Sequence, residues 1–358
     1  MGKQPILKSH RRSDIETTVV AVRTVKFGDG SYPVIAGPAA VESEDQINAS
    51  ADAVAEAGGS VLRAGTFIAG GSPYEYRGVG PDAVWMLEHA GRRAGLPVAT
   101  EVLEPAHVEA AAEHIDVLEV GPDNMQNFVL LREVGSSHRP VIVHRGPSAT
   151  IDEWLLAAEY VLDAGNERVV LCERGSRGFD PRTTDTIDIS AVPAVQRLSH
   201  LPVVVDPAPS AGDPDLLPPL ALAARSAGAD GLLVPVHPDP ANARAGNGAH
   251  LDAVQFAALM EALGIPSLRD EIDRIDRQLV KLLARRLNSS VEIARIKAGR
   301  DLDIYSPDRE AELIAETRDD AEMQDIDPDY AQELMEVVLR HSRAAQRRDL
   351  GIDDSDVR

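Results

Sequence analysis

The sequence predicts an α/β protein in which a (β/α)8 barrel of the TIM type precedes a small all-helical domain. Eight short runs rich in Val, Ile and Leu alternate with Ala-rich helical patterns between Tyr32 and Leu251, as parallel strands buried on both faces do. Eight units in roughly 230 residues fit the usual size of such a barrel. The competing doubly wound sheet more often has five or six units and a glycine fingerprint after its first strand, which this sequence lacks.

The strands are expected at the eight apolar runs. In chain order these are P-V-I-A-G-P, S-V-L-R-A-G, P-V-A-T-E-V, D-V-L-E-V-G, P-V-I-V-H-R-G, R-V-V-L-C-E-R-G, P-V-V-V-D-P and G-L-L-V-P-V-H. The extension before them, residues 1–30, is polar and has one β-rich run from Thr17 to Val25. We expect the barrel over 31–262, the helical domain over 263–350 and an acidic tail over 351–358.

A long amphipathic helix is predicted to open the second domain. Its apolar residues recur at helical spacing, at Leu268, Ile272, Ile275, Leu279, Leu282, Leu283 and Leu287. Ser267, with Asp270 three residues later, has the pattern of a capping box. Arg269, Arg286 and Lys297 place cations along this helix, as the binding of a small dianion requires.

Two further helices follow the first. Ser306 is a natural N-cap with Pro307 at the first helical position, and Asp327-Pro328 repeats that signal for a third helix that ends near Arg348. On this third helix, Ser342 and Gln346 are four residues apart and therefore share one face.

Composition excludes several classes of function. The chain has 358 residues and a formal net charge of -22, which argues against nucleic-acid and anionic-membrane partners, because both require a basic surface. Its one cysteine, Cys172, excludes an internal disulfide and a cysteine-based zinc site. No apolar run approaches the length of a membrane span, and the first residues lack the apolar core of a secretory signal. We therefore expect a cytoplasmic protein.

In a barrel of this kind, polar residues at the carboxyl ends of the strands face the site. Here they are Arg63, Glu101, Glu119, His144, Arg145, Glu173, Arg174, Asp206 and His237. Guanidinium groups suit phosphate and carboxylate oxygens, so Arg145 and Arg174 are candidates to hold an anion. The alternative is that these arginines pair with Glu101, Glu119 or Glu173 and only hold the rim together.

A set of motifs in the barrel region indicates a family. They are G-P-A-A-V-E-S at 37–43, S-P-Y-E-Y-R-G-V-G at 72–80, N-M-Q-N-F at 124–128, W-L-L-A-A-E-Y-V at 154–161, L-C-E-R-G at 171–175, D-T-I-D-I-S-A-V-P at 185–193 and A-G-A-D-G-L at 227–232. In this order they resemble the 3-deoxy-D-arabino-heptulosonate 7-phosphate (DAHP) synthase family in its short microbial form. Members condense phosphoenolpyruvate with erythrose 4-phosphate on a divalent metal held by Cys, His, Glu and Asp.

The resemblance implies that the metal ligands are replaced in this chain. The four matching positions are Ala39, Pro209, Pro235 and Gly246, and none of them offers a side-chain lone pair to a metal. A different site, built from His144, His237, Asp206 and Glu101, is an alternative that no ligand spacing supports. We therefore expect no metal and no other cofactor.

The substrate groups of that family are also altered. I-A-G-G at 68–71 replaces K-P-R-T, Asp123 stands where a phosphate-binding Arg is expected, and His144 replaces a Lys. Asp123 reverses a charge and repels phosphate. Arg63, Arg145 and Arg174 remain as a remnant anion-binding set. DAHP synthase activity is predicted to be absent.

The helical region resembles the all-helical chorismate mutase family over that family's full length. Chorismate rearranges to prephenate by a pericyclic shift, so the catalyst needs only to hold a dianion in a reactive conformer and stabilise charge growing on the ether oxygen. The resemblance implies a pocket in a homodimer or higher oligomer, built from Arg269, Arg286, Lys297, Arg309, Glu310, Ser342 and Gln346.

The same resemblance assigns roles within that pocket. Arg286 and Arg269 would grip the two carboxylates, with Arg269 coming from the partner subunit. Lys297 and Gln346 would donate to the ether oxygen, and Glu310 would accept the substrate hydroxyl. Arg309 and Ser342 would complete the pocket. Ser306 departs from the family, which often has an acid there, so a weaker contact is expected at that position.

Alternative functions remain open from the sequence. The helical domain could be an inert dimerisation module, or an isochorismate pyruvate lyase, although Glu310, Ser342 and Gln346 fit the mutase better. The whole chain could instead be a regulatory protein that modulates a separate DAHP synthase. A barrel with a new, metal-independent activity on a small anion is a further alternative.

Overall fold

The computed structural model describes residues 7–11, 17–68, 74, 76–180, 185–246, 248–265, 268–300, 302–303 and 305–351, without the side chains of 268–271, 273, 274, 277 and 278. The chain divides into two compact units, Met1–Arg269 and Asp270–Arg358. Among the described residues, no helix combines the length and the apolar character that crossing a membrane requires.

The first unit is a closed barrel of parallel strands. In the described part of the chain, its eight strands are β3 (Val34–Gly37), β4 (Val61–Arg63), β5 (Val98–Glu101), β6 (Val117–Val120), β7 (Val141–His144), β8 (Val169–Glu173), β11 (Val203–Val205) and β12 (Gly231–Pro235). Around the barrel the order is β11, β12, β3, β4, β5, β6, β7, β8, and β8 pairs with β11 to close it. Each of the eight apolar runs supplies one strand, so the predicted fold class is confirmed.

Helices connect the strands along the outside. They are α1 (Glu44–Glu56), α2 (Pro81–Ala94), α3 (Val108–His114), α4 (Phe128–Ser136), α5 (Ile151–Asp163), α6 (Ala191–Leu198), α7 (Ala208–Ala211), α8 (Leu217–Ser226) and α9 (Ala253–Ala262). Short 3-10 turns lie at Pro105–His107, Pro122–Asn124, Pro214–Leu216 and Pro240–Asn242. Local sequence sets several helix starts: Thr150 and Glu153 form a capping box before α5.

Two short hairpins accompany the barrel. The strands β1 (Val20–Val22) and β2 (Val25–Phe27) pair antiparallel inside the β-rich extension, and β9 (Ser176–Arg177) pairs with β10 (Asp185–Thr186) after β8.

The barrel has two buried apolar layers. One combines the outward faces of the strands with the helices, and the other holds strand residues such as Ile35, Ile142 and Val170 without any helix residue. The second layer is therefore the barrel interior, and Val20 and Phe27 of the first hairpin belong to it. The hairpin thus adds its apolar side to the interior core.

The second unit consists of α10 (Leu268–Ala298), α11 (Pro307–Met323) and α12 (Pro328–Leu350). Asp327 caps α12 by accepting the backbone N–H of Asp329, and Gly351 ends it in a left-handed conformation. Ser306 occupies the N-cap of α11 but makes no side-chain capping bond. The predicted cap at Ser267 lies outside the described residues.

Candidate active sites

The end of β4 places Arg63 against two carboxylates at the barrel mouth. Its Nε donates to Oε1 of Glu119 at 3.2 Å, and its Nη2 lies 3.8 Å from Oε2 of Glu101. Glu119, from β6, is fully buried, and His144 Nε2 lies 3.1 Å from its Oε2. The guanidinium of Arg63 therefore already has anionic partners inside the protein, as the rim alternative expects of Arg145 and Arg174.

Electrostatics at this cluster favour the charged forms of Arg63 and Glu119. Burial alone would raise the pKa of Glu119, but Arg63 and His144 outweigh burial and lower that pKa to about 2. Burial would likewise lower the pKa of Arg63, and Glu119 and Glu101 together raise it. Glu101 differs, since burial outweighs its more distant Arg63 and raises its pKa.

Arg145 and Arg174, which each precede a glycine, have different surroundings. Arg145 is buried; its Nη1 donates to Oε2 of Glu173 at 2.8 Å, and its Nε donates to the carbonyl of Ala149. Arg174 is partly exposed, and its Nε lies 3.6 Å from Oδ2 of Asp206, which is too long for a hydrogen bond. Arg145 is therefore neutralised within the barrel, whereas Arg174 retains donor capacity at the mouth.

Several buried polar atoms near the mouth have no hydrogen-bond partner among the described residues. They are Nδ1 of His144, Nε of Arg174, Oγ of Ser210 and Nε2 of His237. Nε2 of His237 lies 3.5 Å from Oε1 of Glu42, which is too long for a hydrogen bond. Buried polar groups are usually hydrogen-bonded, so a polar ligand bound at the mouth could form hydrogen bonds with these atoms.

One position implied for a metal ligand is filled by another side chain. Gly246 has φ +105°, and a Cβ built on it would lie 2.3 Å from Cε1 of His250. The same imidazole accepts a hydrogen bond from the backbone N–H of Ala39 through Nε2 at 3.2 Å. His250 therefore lies against two of the four expected ligand positions. Burial, followed by the charges of His237 and Arg63, lowers its pKa to about 4, so the ring is neutral.

These observations do not fit the divalent metal that the DAHP synthase resemblance implies. Ala39, Pro209, Pro235 and Gly246 supply no side-chain donor, and His250 takes the space beside two of them. Among the described residues, no group of three or more His, Cys, Asp or Glu side chains is placed to hold an ion. That includes the alternative set of His144, His237, Asp206 and Glu101.

In the helical unit, α10 and α12 join three of the predicted site residues. Arg286 Nη1 donates to Oγ of Ser342 at 2.8 Å, and Ser342 is buried and donates in turn to the carbonyl of Val338. Gln346, one turn along α12, donates to the carbonyl of Ser290 on α10 at 2.8 Å. Among the described side chains, no carboxylate forms an ion pair with Arg286, so this cation is available to an anion.

The remaining predicted residues are less tightly grouped. Lys297 Nζ donates to the carbonyl of Asp303 at 3.0 Å, near the end of α10. Glu310 accepts a hydrogen bond from Arg343. Arg309 is exposed and pairs with Glu312 on its own helix at 2.8 Å, so the structure does not bring it to the others. The side chain of Arg269 lies outside the described residues.

Two polar side chains near these sites were not anticipated from the sequence. His250 follows the last strand in a loop, and its contact with Ala39 spans 211 residues, so no local pattern could indicate it. Arg343 stands directly after Ser342, and Arg340, Arg347 and Arg348 lie near it on α12, so one arginine among several gives no distinct signal in the sequence. Its neighbour Ser342 was the one available signal.

Comparison with known proteins gives two family matches. The model of the DAHP synthetase I family matches residues 12–265, and the model of chorismate mutase type II matches residues 268–347. A phospho-2-dehydro-3-deoxyheptonate aldolase of Thermotoga maritima is 41% identical over 248 residues, covering 69% of this chain and 73% of that protein. A 2-dehydro-3-deoxyphosphooctonate aldolase of Acidithiobacillus ferrooxidans is 31% identical over 229 residues, which cover 59% of this chain and 80% of that aldolase.

Solved structures give the same result for the barrel. The crystal structure of the Thermotoga maritima DAHP synthase superposes with a TM-score of 0.70 at 39% identity, covering 73% of this chain and 76% of that one. A truncated form of 3-deoxy-D-arabino-heptulosonate 7-phosphate synthase from the same organism gives a TM-score of 0.67 at 38% identity, covering 72% and 94%.

Proposed function

The chain belongs to the DAHP synthetase I family and carries a chorismate mutase type II domain at its C-terminal end. On that premise we propose that its catalytic activity resides in the helical unit of α10, α11 and α12. The reaction is the conversion of chorismate to prephenate. The pairing of Arg286 with the neutral Ser342, and with no described carboxylate, is the observation that carries this proposal. A cation held in place by a neutral hydroxyl keeps its charge for a carboxylate substrate.

The pericyclic reaction needs a preorganised electrostatic environment and no nucleophile. In this proposal Arg286 binds one substrate carboxylate, and its remaining guanidinium donors face the ligand. Gln346 and Lys297 donate toward the ether oxygen, where negative charge grows in the transition state. Glu310 accepts the substrate hydroxyl and Ser342 fixes Arg286, whereas Arg309 would have to leave Glu312 to reach the substrate.

The proposed active unit is a homodimer or a higher oligomer. Apolar side chains of α10 are largely exposed within the described chain: Ile272, Ile275, Leu279, Leu282, Ile293 and Ile296 are each between 45% and 61% exposed. They recur at the spacing of one helix face, and an exposed apolar stripe of this length supports burial against a second copy. Such a dimer would bring Arg269 of the partner subunit to the second carboxylate.

We further propose that the barrel does not form DAHP. The four ligand positions without donors, the neutral His250 beside two of them, and Asp123 at the phosphate position support this. Arg63 and Arg145 are neutralised by Glu119 and Glu173, which weakens any remnant anion site that depends on them.

The test is steady-state consumption of chorismate by the full chain, with identification of the product. Prephenate supports the proposal. Pyruvate with a hydroxybenzoate, formed from isochorismate in a parallel assay, would indicate the lyase alternative. No turnover of either compound by a folded protein would refute an enzymatic role for the helices. Assaying phosphoenolpyruvate with erythrose 4-phosphate and Mn²⁺ in parallel tests the barrel. Formation of DAHP at a rate proportional to enzyme would overturn the second part of the proposal.

A second candidate function is recognition of a small anion by the barrel, with the chain acting as a sensor or as a modulator of a separate DAHP synthase. It is favoured by the buried atoms of His144, Arg174 and Ser210 that have no hydrogen-bond partner within the described part of the chain. Phosphoenolpyruvate is the probe: a rise in melting temperature that is lost in Arg174→Ala supports this function. A melting temperature that is unchanged at millimolar probe counts against it.

A further inference from the structure

A cation outside the predicted set binds one of the predicted site residues. Arg343, on α12 directly after Ser342, donates from Nη1 to Oε2 of Glu310 on α11. Its guanidinium also lies over the ring of Tyr305, with 5.6 Å from Cζ to the ring centroid. Both partners of the ion pair are partly buried, with side-chain exposures of 34% for Arg343 and 22% for Glu310.

The ion pair lines an open pocket at the surface of this unit. The pocket, of about 600 Å³, is bounded by Tyr305, Glu310, Val337 and Arg343, among others. Arg340, one turn before Arg343, also borders it, but among the described contacts Arg343 is the cation that binds Glu310. The carboxylate of Glu310, which would accept the substrate hydroxyl, is therefore held by Arg343 of the neighbouring helix.

We propose that Arg343 is a positioning residue that fixes the carboxylate of Glu310 for the hydroxyl of the substrate. The inference rests on the proposed function. A glutamate side chain has several rotatable bonds, so an unheld carboxylate samples many orientations. The bond to Arg343 occupies Oε2 and presents Oε1 as the remaining acceptor. Contact with the Tyr305 ring restricts Arg343 itself, as a cation over an aromatic face does.

An ion pair that only joins α11 to α12 would have the same geometry, but its loss would lower stability without lowering kcat/KM. The discriminating experiment is a double-mutant cycle in kcat/KM for chorismate, with Arg343→Met, Glu310→Gln and the double variant. If Arg343 acts through Glu310, Arg343→Met lowers kcat/KM about tenfold, mainly in kcat, and the double variant is within about twofold of Glu310→Gln alone. Arg343→Lys, which retains the charge, should remain within about threefold of the wild type.

A second α11–α12 ion pair supplies the matched control. Arg318 Nη1 lies 2.6 Å from Oδ1 of Asp329, away from every predicted site residue on those helices. Arg318→Met should leave kcat/KM unchanged while showing what the loss of one such pair does to the melting temperature.

Each outcome decides the inference. A wild-type chain that does not convert chorismate defeats the proposed function and this inference together. An active wild type in which the losses of Arg343→Met and Glu310→Gln multiply overturns the inference alone. So does an Arg343→Met variant that loses melting temperature like Arg318→Met but keeps its kcat/KM. If Arg343→Met does not fold, Arg343→Gln takes its place in the cycle.

Discussion

The barrel mouth and the helical pocket both gather arginines, but those arginines have different partners. In the barrel, Arg63 and Arg145 donate to the buried carboxylates of Glu119 and Glu173. In the helices, Arg286 donates to the hydroxyl of Ser342, and no described carboxylate pairs with it. A guanidinium that is already paired stabilises the fold, whereas one held by a neutral group keeps its charge for a ligand. Residue type alone does not separate these two roles.

The largest expected effect comes from removing the available cation. Arg286→Ala should lower kcat/KM for chorismate about a thousandfold, close to 4 kcal/mol of transition-state stabilisation, because a carboxylate of the bound dianion loses its charged partner. Steady-state kinetics with prephenate detection measures this.

The neighbouring exposed Arg285 is the matched control for Arg286, and Arg285→Ala should stay close to wild-type activity. Equal losses in the two variants would show that α10 contributes general positive charge rather than one specific contact. The contrast between barrel and helices would then no longer hold.

The next effect tests the opposite role in the barrel. Glu119→Gln should lower the free energy of unfolding by about 3 kcal/mol, since it leaves the partly buried Arg63 without its closest anion. Urea denaturation measures this. Glu101→Gln is the control with the smaller expected loss, because Glu101 lies 3.8 Å from Arg63 and burial raises its pKa.

Chorismate turnover should be unaffected by Glu119→Gln as long as the barrel stays folded. A Glu119→Gln variant of unchanged stability would show that the carboxylate does not hold Arg63 in the rim. Arg63 would then return to the set of available cations.

His250 gives the barrel a dependence on pH. Its pKa of about 4 in the folded chain lies below the ordinary value of 6.5, so the unfolded chain binds a proton first as the pH falls. Stability should therefore decrease between pH 6.5 and pH 4, by about 2 kcal/mol, and Glu119 extends the loss below pH 4.5 toward its own pKa of about 2.

The measurement is urea denaturation as a function of pH. His250→Asn, which retains an acceptor for the Ala39 N–H, should flatten the curve between pH 6.5 and pH 4 and leave the more acidic loss in place. A variant with an unchanged curve would contradict the burial of a neutral imidazole at the mouth.

The fold could be predicted because each strand is an apolar run that ends at Gly, Pro or a polar residue, and local patterns of this kind survive in the sequence. The polar residues at the strand ends could be predicted for the same reason. The partners of these residues could not be predicted. Whether Arg145 binds an anion or pairs in the rim depends on a distance of 2.8 Å to a glutamate 28 residues away. The roles of His250 and Arg343 could not be predicted for the same reason, because their contacts with Ala39 and Glu310 join distant parts of the chain.

The smallest expected effect is on metal binding, and it tests the barrel side of the comparison directly. Mn²⁺ at about 1 mM should change the melting temperature of the full chain by less than about 1 °C, whereas a site with a Kd of about 10 µM would add about 2.7 kcal/mol and several degrees. The reason is the absence of side-chain donors at Ala39, Pro209, Pro235 and Gly246. Ala39→Cys with Pro209→His and Pro235→Glu supplies three donors, and this variant should respond to the same titration. A wild type that responds as strongly would place a metal site at the mouth despite these four residues, and DAHP formation would then have to be reassessed.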